Sequence, residues 1–590
     1  MTDDRSPRLD WTEDDAPVSG RFGDVYFSRE DGLAETRAVF LQGCGLPEAW
    51  ADRRQFTVAE LGFGTGLNIA ALLALWRETR PAGGRLHIFS VEGFPLTRAE
   101  AARALSAWPE LAEPVQALLE AWPSATPGFH RLDLPAFDAV LDLAVGDAAW
   151  ALSQWDGRAD AWFLDGFAPS ANPGMWSEAV LDAVAARSAP GARVATFTVA
   201  GAVRRGLSER GFMVEKRPGH GRKRERLEAR APGVAAPDRR PTVAIVGAGI
   251  AGAALVRAFG TLGVRPTVVE TGTDTAASGF PAALVTPRLD AGDLEIAALY
   301  AQALDRARRL YAGVAGAVIA QGVLQLEQAP RDAGRFAKIA GQDIWPEGVM
   351  SVLDAQACSA RLNEPVASTG LMMADALAIR PTAVLDAWLE GADRMRADVE
   401  RIEATDHGWR LLDRGGATVI EADVVVLAAG WGAADLAADL PLSPVLGQAD
   451  WVEDVDSPPA AWGGYAAPTG AGVLFGATHE RGLTAPIVSA AASARNLAKL
   501  RSRLPDLAER IDAAGPVRSR AAVRATTPDR LPVAGPLGVD GLFVLTGLGS
   551  RGFCAAPLLA EHVAALAMGV ASPLPVSLAD RTAPRRLAQS

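Results

Sequence analysis

The chain has 590 residues, of which 49% are hydrophobic and 22% charged, and its formal net charge is −12. This is globular composition, so a wholly disordered chain is excluded, and the length predicts several domains. The three cysteines lie far apart and form no CxxC pair, and the six histidines show no zinc-ligand spacing. We therefore expect a protein of a reducing compartment that holds no metal.

The start of the sequence is polar and acidic, with no apolar segment of the kind found in signal peptides. No run of 18 apolar residues is free of charged residues, so a membrane span is not predicted. The negative net charge argues against a non-specific coat on nucleic acid, although a local basic patch is compatible with RNA docking. We expect a cytoplasmic monomer.

The first half of the chain, residues 1–230, alternates apolar strand patterns with helical patterns, which predicts an α/β domain. An Ala- and Pro-rich segment without periodicity, residues 231–241, follows it and is typical of a linker. Residues 242–590 form the second predicted domain. The strands predicted in the first half are Thr57–Leu61, His87–Glu92, Ala161–Leu164 and Ala192–Phe197.

The second half begins with a strand, a glycine loop, a helix and a strand, and then changes character. Long helical patterns cover 292–313 and 381–398, and short strands are predicted at Asp423–Ala428 and Leu542–Leu545. This order predicts a Rossmann core interrupted by an inserted α+β substrate domain.

A glycine loop follows the first predicted strand of the N-terminal half. Glycines at this point let the backbone approach a ligand, and an acidic residue that ends the next strand, Glu92, can accept ribose hydroxyls. The spacing resembles the ExGxGxG loop of class I (Rossmann-like) methyltransferases that use S-adenosylmethionine (SAM). The cofactor-binding residues predicted here are Glu60, Gly62, Gly64, Gly66 and Glu92.

A further strand of this half ends in Asp165, within the sequence DGFAP. The carboxyl ends of strands in an open α/β sheet face the ligand crevice. Asp165 is therefore predicted to orient or deprotonate an acceptor amine, because methyl transfer requires a free nitrogen lone pair. The alternative is a residue that starts an Asx turn.

The second glycine loop is a complete GxGxxG between a strand and a helix, and an acid ends the following strand 18 residues later. Together these elements form a dinucleotide fingerprint. Two later strands enter glycine turns, and this arrangement resembles FAD enzymes of the D-amino-acid-oxidase type. The FAD-binding residues predicted in this half are Gly247, Gly249, Gly252, Glu270, Gly430 and Gly549.

Several longer stretches carry one resemblance over nearly the whole chain. They are Asp24–Leu41, ELGFGTG, DGFAPSANPGMW, GAGIAG, RATTPDRLPVAG and GLGSRGFCAAPLLAE. With the methyltransferase half before the oxidase half, the chain resembles the MnmC family of bifunctional tRNA 5-methylaminomethyl-2-thiouridine biosynthesis proteins.

That resemblance implies two cofactors, FAD and SAM, and a two-step modification of the wobble uridine of tRNA. The oxidase removes the carboxymethyl group from 5-carboxymethylaminomethyl-uridine, and the methyltransferase then methylates the primary amine. Two other hypotheses remain open at this point. One is a fused amine oxidase and N-methyltransferase that acts on a small molecule, and the other is a non-catalytic RNA-binding scaffold, against which the intact glycine loops argue.

The resemblance also assigns residues of the oxidase site. Arg524 and Arg551 match positions that hold a substrate carboxylate, a role that the planar guanidinium suits, and Arg530 competes for it. Two departures from the family pattern affect the expected pocket. Around residues 277–288 the family pattern predicts an ASGN-type flavin loop with Asn, Gln and Gly, but residues 277–283 read ASGFPAA. In addition, Leu446 stands where Arg is expected.

A basic stretch lies at the end of the first half, where residues 204–240 contain 12 Lys and Arg against 5 Asp and Glu. In an acidic protein, such a stretch is a candidate site for the tRNA phosphate backbone. The alternative is a solvated surface strand beside the linker.

Overall fold

The computed structural model describes residues 6–13, 16–27, 31–221, 224–235, 240–272 and 276–589. The chain divides into two compact units. The first comprises Met1–Arg240 and Val570–Val576, and the second comprises Pro241–Gly569 and Ser577–Ser590.

The first unit is built on a sheet of eight strands within the described residues, in the order β10-β11-β9-β8-β4-β5-β7-β6. Strands β9, β8, β4, β5 and β7 run parallel, and β6, β10 and β11 are antiparallel to their neighbours. A small sheet, β1-β2-β3, precedes it. The strands are β1 (Leu9–Trp11), β2 (Pro17–Ser19), β3 (Asp24–Val25), β4 (Gln55–Leu61), β5 (Arg85–Glu92), β6 (Gly128–Leu134), β7 (Ala139–Val145), β8 (Ala159–Leu164), β9 (Ser188–Thr196), β10 (Met213–Pro218) and β11 (Glu225–Arg230).

Helices cover the faces of this sheet, so the central strands are buried on both sides. The residues from Val58 to Leu61 are all buried, which explains their nearly continuous apolar run. The helices are α1 (Gly32–Thr36, continued by a π-helix at Arg37–Leu41), α2 (Leu67–Thr79), α3 (Arg98–Leu105), α4 (Ala112–Glu120), α5 (Ala148–Gln154), α6 (Glu178–Ala186) and α7 (Gly201–Glu209).

A short segment near the C-terminus, Val570–Val576, belongs to the first unit. The backbone N–H of Ser572 donates a hydrogen bond of 2.9 Å to Oδ1 of Asp156. Ala571 is buried in the same apolar cluster as Trp155. The core of the first unit is therefore completed by residues that lie more than 300 positions away in sequence.

The second unit contains a Rossmann sheet in the order β18-β13-β12-β22-β30-β29, and only β29 in it is antiparallel to its neighbour. The residues of β12 and β22 are all buried, as expected of strands covered on both faces. The strands are β12 (Val243–Val246), β13 (Thr267–Glu270), β18 (Asp393–Arg396), β22 (Val424–Leu427), β29 (Val533–Pro536) and β30 (Leu542–Thr546).

The insertions of the second unit form a large mixed sheet and a three-stranded sheet, β19-β20-β21. In the large sheet, the long strands β23 and β28 pair antiparallel, and Val445 lies opposite Arg524. The strands are β14 (Ala283–Val285), β15 (Val318–Leu326), β16 (Met350–Leu353), β17 (Gly370–Ile379), β19 (Arg401–Thr405), β20 (Gly408–Leu412), β21 (Thr418–Ala422), β23 (Ser443–Glu453), β24 (Ala460–Ala461), β25 (Tyr465–Pro468), β26 (Gly472–Gly476), β27 (Glu480–Arg481) and β28 (Arg518–Thr526).

One expectation about the second unit is wrong. The helical pattern over 381–398 predicts a single helix, but the helix ends at Leu389 and residues 393–396 form an edge strand of the Rossmann sheet. The pattern misleads because all four residues of Asp393–Arg396 are exposed, so the segment has no alternation of buried and exposed residues. The helices are α8 (Ile250–Thr261), α9 (Leu294–Ala312), α10 (Asp332–Ala340), α11 (Ala355–Leu362), α12 (Pro381–Leu389), α13 (Ala433–Leu436), α14 (Ala490–Arg501), α15 (Pro505–Ala513), α16 (Gly552–Met568) and α17 (Val576–Asp580).

Across the described part of the chain, no helix has the length and apolarity that a membrane crossing requires.

Candidate active sites

The first unit holds a cavity of about 1100 Å³ at the carboxyl ends of its central strands. The glycine loop after β4 forms one wall of this cavity. Gly62 has φ +99°, and a Cβ atom there would lie 2.2 Å from the backbone oxygen of Asp165. The loop can therefore lie against the end of β8 only with glycine at position 62. The contact brings the first predicted loop and Asp165 together.

Glu92 lies at the end of β5 and lines the same cavity. Its carboxylate accepts hydrogen bonds from the backbone N–H groups of Gly64 and Phe94, at 2.9 and 2.8 Å. These bonds orient the carboxylate and leave lone pairs on both oxygens for ribose hydroxyls. Burial nevertheless raises the pKa of Glu92. The residues present fit the ribose of SAM.

Asp165 and Glu60 are linked through one side chain, that of Asn68 at the start of α2. Its amide nitrogen donates to Oδ2 of Asp165 at 2.6 Å and to Oε1 of Glu60 at 3.1 Å. Its oxygen accepts a hydrogen bond from the hydroxyl of Thr36 at 2.8 Å. All of the hydrogen-bonding capacity of the Asn68 amide nitrogen is used, so its orientation is defined. The sequence patterns did not single out Asn68.

Glu60 occupies a supporting position, behind the residues that line the cavity. It is fully buried, and the Ser90 hydroxyl donates to its Oε2 at 2.6 Å. Burial, with a contribution from the charge of Asp165, raises the pKa of Glu60 to about 8. The Glu60 carboxyl therefore contacts the side chains of Asn68 and Ser90. The sequence pattern instead predicts that Glu60 binds the cofactor.

Aromatic side chains form another part of the lining of this cavity. The ring of Phe167 lies 5.0 Å from that of Phe22 and 5.4 Å from that of Tyr26, and Phe22 also contacts Phe94. Tyr26 and Phe22 come from the N-terminal segment, whose Asp24 accepts a hydrogen bond from the backbone of Ala168 at 3.3 Å. These rings offer flat apolar surfaces to the planar parts of a ligand.

The second unit holds a cavity of about 1210 Å³, lined by five of its six predicted FAD-binding residues. The sixth, Gly252, packs against the backbone of Gly247, where a Cβ atom would lie 1.9 Å from the Gly247 oxygen. The first glycine of GxGxxG, Gly247, has φ +110°, and a Cβ atom there would lie 2.6 Å from the backbone oxygen of Ala428. The loop thus packs directly against the end of β22. Gly430 and Gly549 follow the ends of β22 and β30, and they line the cavity beside it.

Glu270 ends β13 at one end of this cavity. Its Oε1 accepts hydrogen bonds from the guanidinium of Arg394. Its Oε2 is buried and has no hydrogen-bond partner among the described residues. A buried carboxylate oxygen without a partner is costly unless a ligand satisfies it. Oε2 of Glu270 is therefore free to accept a hydrogen bond from a ribose hydroxyl of FAD. The residues present fit FAD.

The unusual flavin loop is held by specific contacts. The Ser278 hydroxyl accepts a hydrogen bond of 3.0 Å from the backbone N–H of Ile250, at the start of α8. Arg520 donates to the backbone oxygen of Ala276 at 3.1 Å, and its guanidinium lies 5.7 Å from the ring centre of Phe280. The second departure, Leu446, is buried and is not among the residues that line the cavity. The loop thus forms part of the cavity wall, although its sequence differs from the family pattern.

Arg524 lies on β28 and lines the same cavity. Its guanidinium donates to the backbone oxygen of Thr478 at 3.3 Å, and it forms no ion pair with any described carboxylate. Burial lowers the pKa of Arg524, and the nearby phenol of Tyr465 opposes this effect. Burial also raises the pKa of Tyr465 to about 12, so that this phenol remains protonated. A cation and a hydroxyl donor therefore point toward the same part of the cavity.

Arg551 and Arg530 have different surroundings. Arg551 precedes α16, lines the cavity and donates a hydrogen bond to the hydroxyl of Thr286. Burial lowers the pKa of Arg551. Arg530 is exposed, has φ +60° and lies outside the lining of the cavity. Arg524 is therefore better placed than Arg530 to anchor a substrate carboxylate, and Arg551 remains a second cation in the same cavity.

Part of the positive charge in the basic stretch 204–240 is compensated by nearby acids. Lys216 pairs with Glu225, Arg226 with Glu228, and Arg210 with two acids of α6. Exposed pairs of this kind are weak, but they reduce the net field of the stretch. Arg222 and Lys223 lie outside the described residues.

Two family models match the chain, one in each half. Residues 109–232 match the model of the S-adenosyl-L-methionine-dependent methyltransferases, and residues 242–566 match that of the FAD dependent oxidoreductases. The predicted fold, a methyltransferase domain followed by an FAD domain of the D-amino-acid-oxidase type, is confirmed, as are the two cofactors, SAM and FAD.

Similar proteins cover the whole chain. The tRNA 5-methylaminomethyl-2-thiouridine biosynthesis bifunctional protein MnmC of Caulobacter vibrioides is 58% identical over 579 residues, which are 98% of this chain and 97% of that protein. The protein of the same name from Maricaulis maris is 45% identical over 590 residues, with coverages of 98% and 96%.

Solved structures resemble the second unit. Iminodiacetate oxidase from Chelativorans sp. BNC1 aligns with a TM-score of 0.51 at 22% identity, and the alignment covers 58% of this chain and 98% of that one. L-proline dehydrogenase from P. horikoshii aligns with a TM-score of 0.51 at 16% identity, over 60% and 99% of the two chains. At these identities the likeness establishes the fold.

Proposed function

The chain belongs to the MnmC family of tRNA 5-methylaminomethyl-2-thiouridine biosynthesis bifunctional proteins, and we propose that it modifies the wobble uridine of tRNA in two steps. The first step removes the carboxymethyl group from 5-carboxymethylaminomethyl-uridine or its 2-thio form. The second step methylates the primary amine that remains. The observation that carries this proposal is the sequence similarity to these relatives, which extends over 98% of the chain. In addition, glycine-loop residues predicted to bind each cofactor line a cavity in each unit.

In the oxidase cavity, we assign Arg524 to the carboxylate of the departing group. It is a cation with no carboxylate partner among the described residues, so a substrate carboxylate would complete the pair. The Tyr465 phenol beside it can donate a second hydrogen bond to the same carboxylate. These contacts would hold the carbon between nitrogen and carboxylate in one orientation.

Bound FAD would supply the hydride acceptor for the oxidation at that carbon. The substrate nitrogen and carbon are left joined by a double bond, and water cleaves it to give the primary amine and glyoxylate. Arg551 lies at the N-terminus of α16 and lines the cavity, where the backbone N–H groups of the helix are also available. Both features favour negative charge on a ligand in this cavity.

In the methyltransferase cavity, SAM supplies the methyl group when bound. We assign Asp165 to the acceptor amine, which must lose its proton before its lone pair can attack the methyl carbon. Asn68 fixes the Asp165 carboxylate through its 2.6 Å hydrogen bond, and we assign Glu92, which the Gly64 N–H orients, to the ribose of SAM. The aromatic wall would accept the planar base that carries the amine.

The proposal includes tRNA as the partner and the cytoplasm as the place of action. It predicts that the purified protein, given tRNA that carries 5-carboxymethylaminomethyl-2-thiouridine, produces the aminomethyl nucleoside without SAM and the methylaminomethyl nucleoside with SAM. Mass spectrometry of the digested tRNA measures both products. If the protein oxidises free N-carboxymethyl amines such as iminodiacetate but leaves the tRNA unchanged, the small-molecule hypothesis replaces this one.

A further inference from the structure

A second basic segment lies in the second unit, in addition to the stretch 204–240 of the first unit. From Arg481 to Pro505 the sequence contains five Lys and Arg and no Asp or Glu, in a chain whose net charge is −12. This segment comprises the end of β27, an exposed loop, and α14. A run of this length without an acid carries a concentrated positive field.

The structure places this segment at the mouth of the oxidase cavity. Thr484, Pro486 and Lys499 line the cavity, together with His479, which precedes β27. Arg503 donates a hydrogen bond of 3.4 Å to the backbone oxygen of Gln328, which is another lining residue. The positive segment is thus part of the entrance through which a substrate reaches the flavin end.

Two of the five cations of this segment pair with acids outside it, Arg495 with Glu480 and Arg501 with Asp512. Arg481, Lys499 and Arg503 form no ion pair with a carboxylate among the described residues, and neither does the exposed side chain of Arg530, which follows β28. We call these four residues the oxidase rim. The pKa of His479 is lowered, first by burial and then by Arg524, Arg481, Arg530 and Lys499, so these four cations lie within electrostatic range of His479. In the basic stretch 204–240, four of the described cations, Arg210, Lys216, Arg217 and Arg226, pair with acids.

Exposed apolar side chains accompany the rim. Leu483 is 49% exposed and Ile487 is 71% exposed, both in the loop between β27 and α14. Unstacked bases of a nucleic acid loop bring flat apolar faces and a charged backbone to the same place. A small acidic metabolite would need neither the width of the rim nor the apolar loop.

We infer that the oxidase rim binds backbone phosphates of the tRNA anticodon stem-loop and thereby delivers the wobble nucleotide to the oxidase cavity. This inference rests on the proposed function. The arrangement separates two tasks, because the rim recognises phosphate and Arg524 recognises the carboxylate of the modified base. The rim therefore affects binding of tRNA and leaves the chemistry on a free nucleoside unchanged.

The experiment compares the holoenzyme with two double variants. The rim variant is Arg481→Gln with Arg530→Gln, since neither side chain lines the cavity or makes a hydrogen bond within the described residues. The control variant is Arg331→Gln with Lys338→Gln, two exposed cations of the same unit that have no ion pair in the described chain. Both variants change the net charge by the same amount.

Three quantities are measured for each variant. They are oxidase kcat/KM on tRNA, oxidase kcat/KM on the free 5-carboxymethylaminomethyl-uridine nucleoside, and the affinity for an unmodified anticodon stem-loop RNA over a range of KCl concentrations. For the rim variant we expect a loss of about tenfold on tRNA and in RNA affinity, with a salt slope smaller by about 1.4, as for two lost phosphate contacts on a single strand. The nucleoside reaction should stay within twofold of the wild type.

Equal tRNA kinetics and equal RNA affinity in the rim and control variants would overturn the inference. So would an equal loss on tRNA and on the nucleoside, because the rim would then act on the cavity itself. If the wild type oxidises neither substrate, the proposed function fails, and the stem-loop affinity alone then decides whether the rim binds RNA.

Discussion

The side-chain amide of Asn68 donates a hydrogen bond of 2.6 Å to the Asp165 carboxylate, and its other N–H reaches Glu60 at 3.1 Å. A residue at the start of the helix after the glycine loop thus connects that loop with the end of a different strand. The cofactor-binding loop and the proposed acceptor-binding carboxylate are held by one amide. The arrangement explains why three polar groups lie so close together in an otherwise apolar core.

Asp165→Asn should slow methyl transfer while SAM affinity is retained. The change keeps the shape of the side chain but removes the charge that accepts or orients a proton, an effect of about 10² to 10⁴ in rate. Single-turnover methylation of aminomethyl-tRNA and calorimetric titration with SAM measure the two quantities. An equal loss of SAM binding would make Asp165 a cofactor ligand instead.

Asn68→Ala should lower kcat for methylation by about 10 to 100-fold, since hydrogen bonds to charged groups contribute about 1.5–3 kcal/mol. Asn68→Asp should lower kcat for methylation more than Asn68→Ala does. It should also shift the rising limb of the pH–rate profile to higher pH, because it adds a carboxylate beside Asp165. A purely structural role would lower the melting temperature of both variants without moving the pH profile.

Arg524→Ala should raise KM for the carboxymethyl substrate at least about thirtyfold, because truncating one partner of a buried charge pair costs about 2–5 kcal/mol. Flavin absorbance should persist, and methylation of aminomethyl-tRNA should be unaffected because that cavity lies in the other unit. Arg524→Lys should restore activity only in part, since lysine lacks the planar fork. Unchanged oxidase kinetics would transfer the anchor to Arg551, whereas loss of flavin would make Arg524 a cofactor contact.

Glu60→Gln should stabilise the first unit at pH 8 but not at pH 5. The carboxyl of Glu60 has a pKa of about 8 in the folded chain and about 4.5 when exposed, so the folded state binds more protons between these values. Stability therefore falls as pH rises through this window, and a neutral glutamine removes that loss. Thermal unfolding of the variant at pH 8 should give a midpoint at least about 2 °C above the wild type. If the variant's unfolding midpoint differs from that of the wild type by the same amount at pH 5 and pH 8, the raised pKa of Glu60 is contradicted.

A fragment of residues 1–240 should bind SAM but unfold at a lower temperature than the same fragment fused to residues 570–576. The fused segment restores the hydrogen bond to Asp156 and returns Ala571 to the apolar cluster that contains Trp155. Calorimetric unfolding of both fragments measures the difference. Equal midpoints would show that the segment adds nothing to the first unit, and failure of both fragments to bind SAM would place the domain boundary elsewhere.

Local patterns in the sequence determined much of both units. The two glycine loops, the acids that end the following strands, and Asp165 at the end of β8 follow from turn chemistry and from the periodicity of buried strands. These signals act over a few residues, so they are readable without the fold. The helix predicted over 381–398 shows their limit, because residues 393–396 take part in the Rossmann sheet only through pairing with β13.

Tertiary structure alone decided which distant groups meet. Asn68 and Asp165 are 97 positions apart, and nothing in their local sequence encodes the hydrogen bond between them. The segment 570–576 joins the first unit although it follows the whole second unit in sequence. The acid-free segment at 481–505 is visible as a charge pattern, but its place at the oxidase entrance depends on how β23, β27 and α14 pack. Local propensities specify elements, whereas long-range packing specifies which of their side chains share a site.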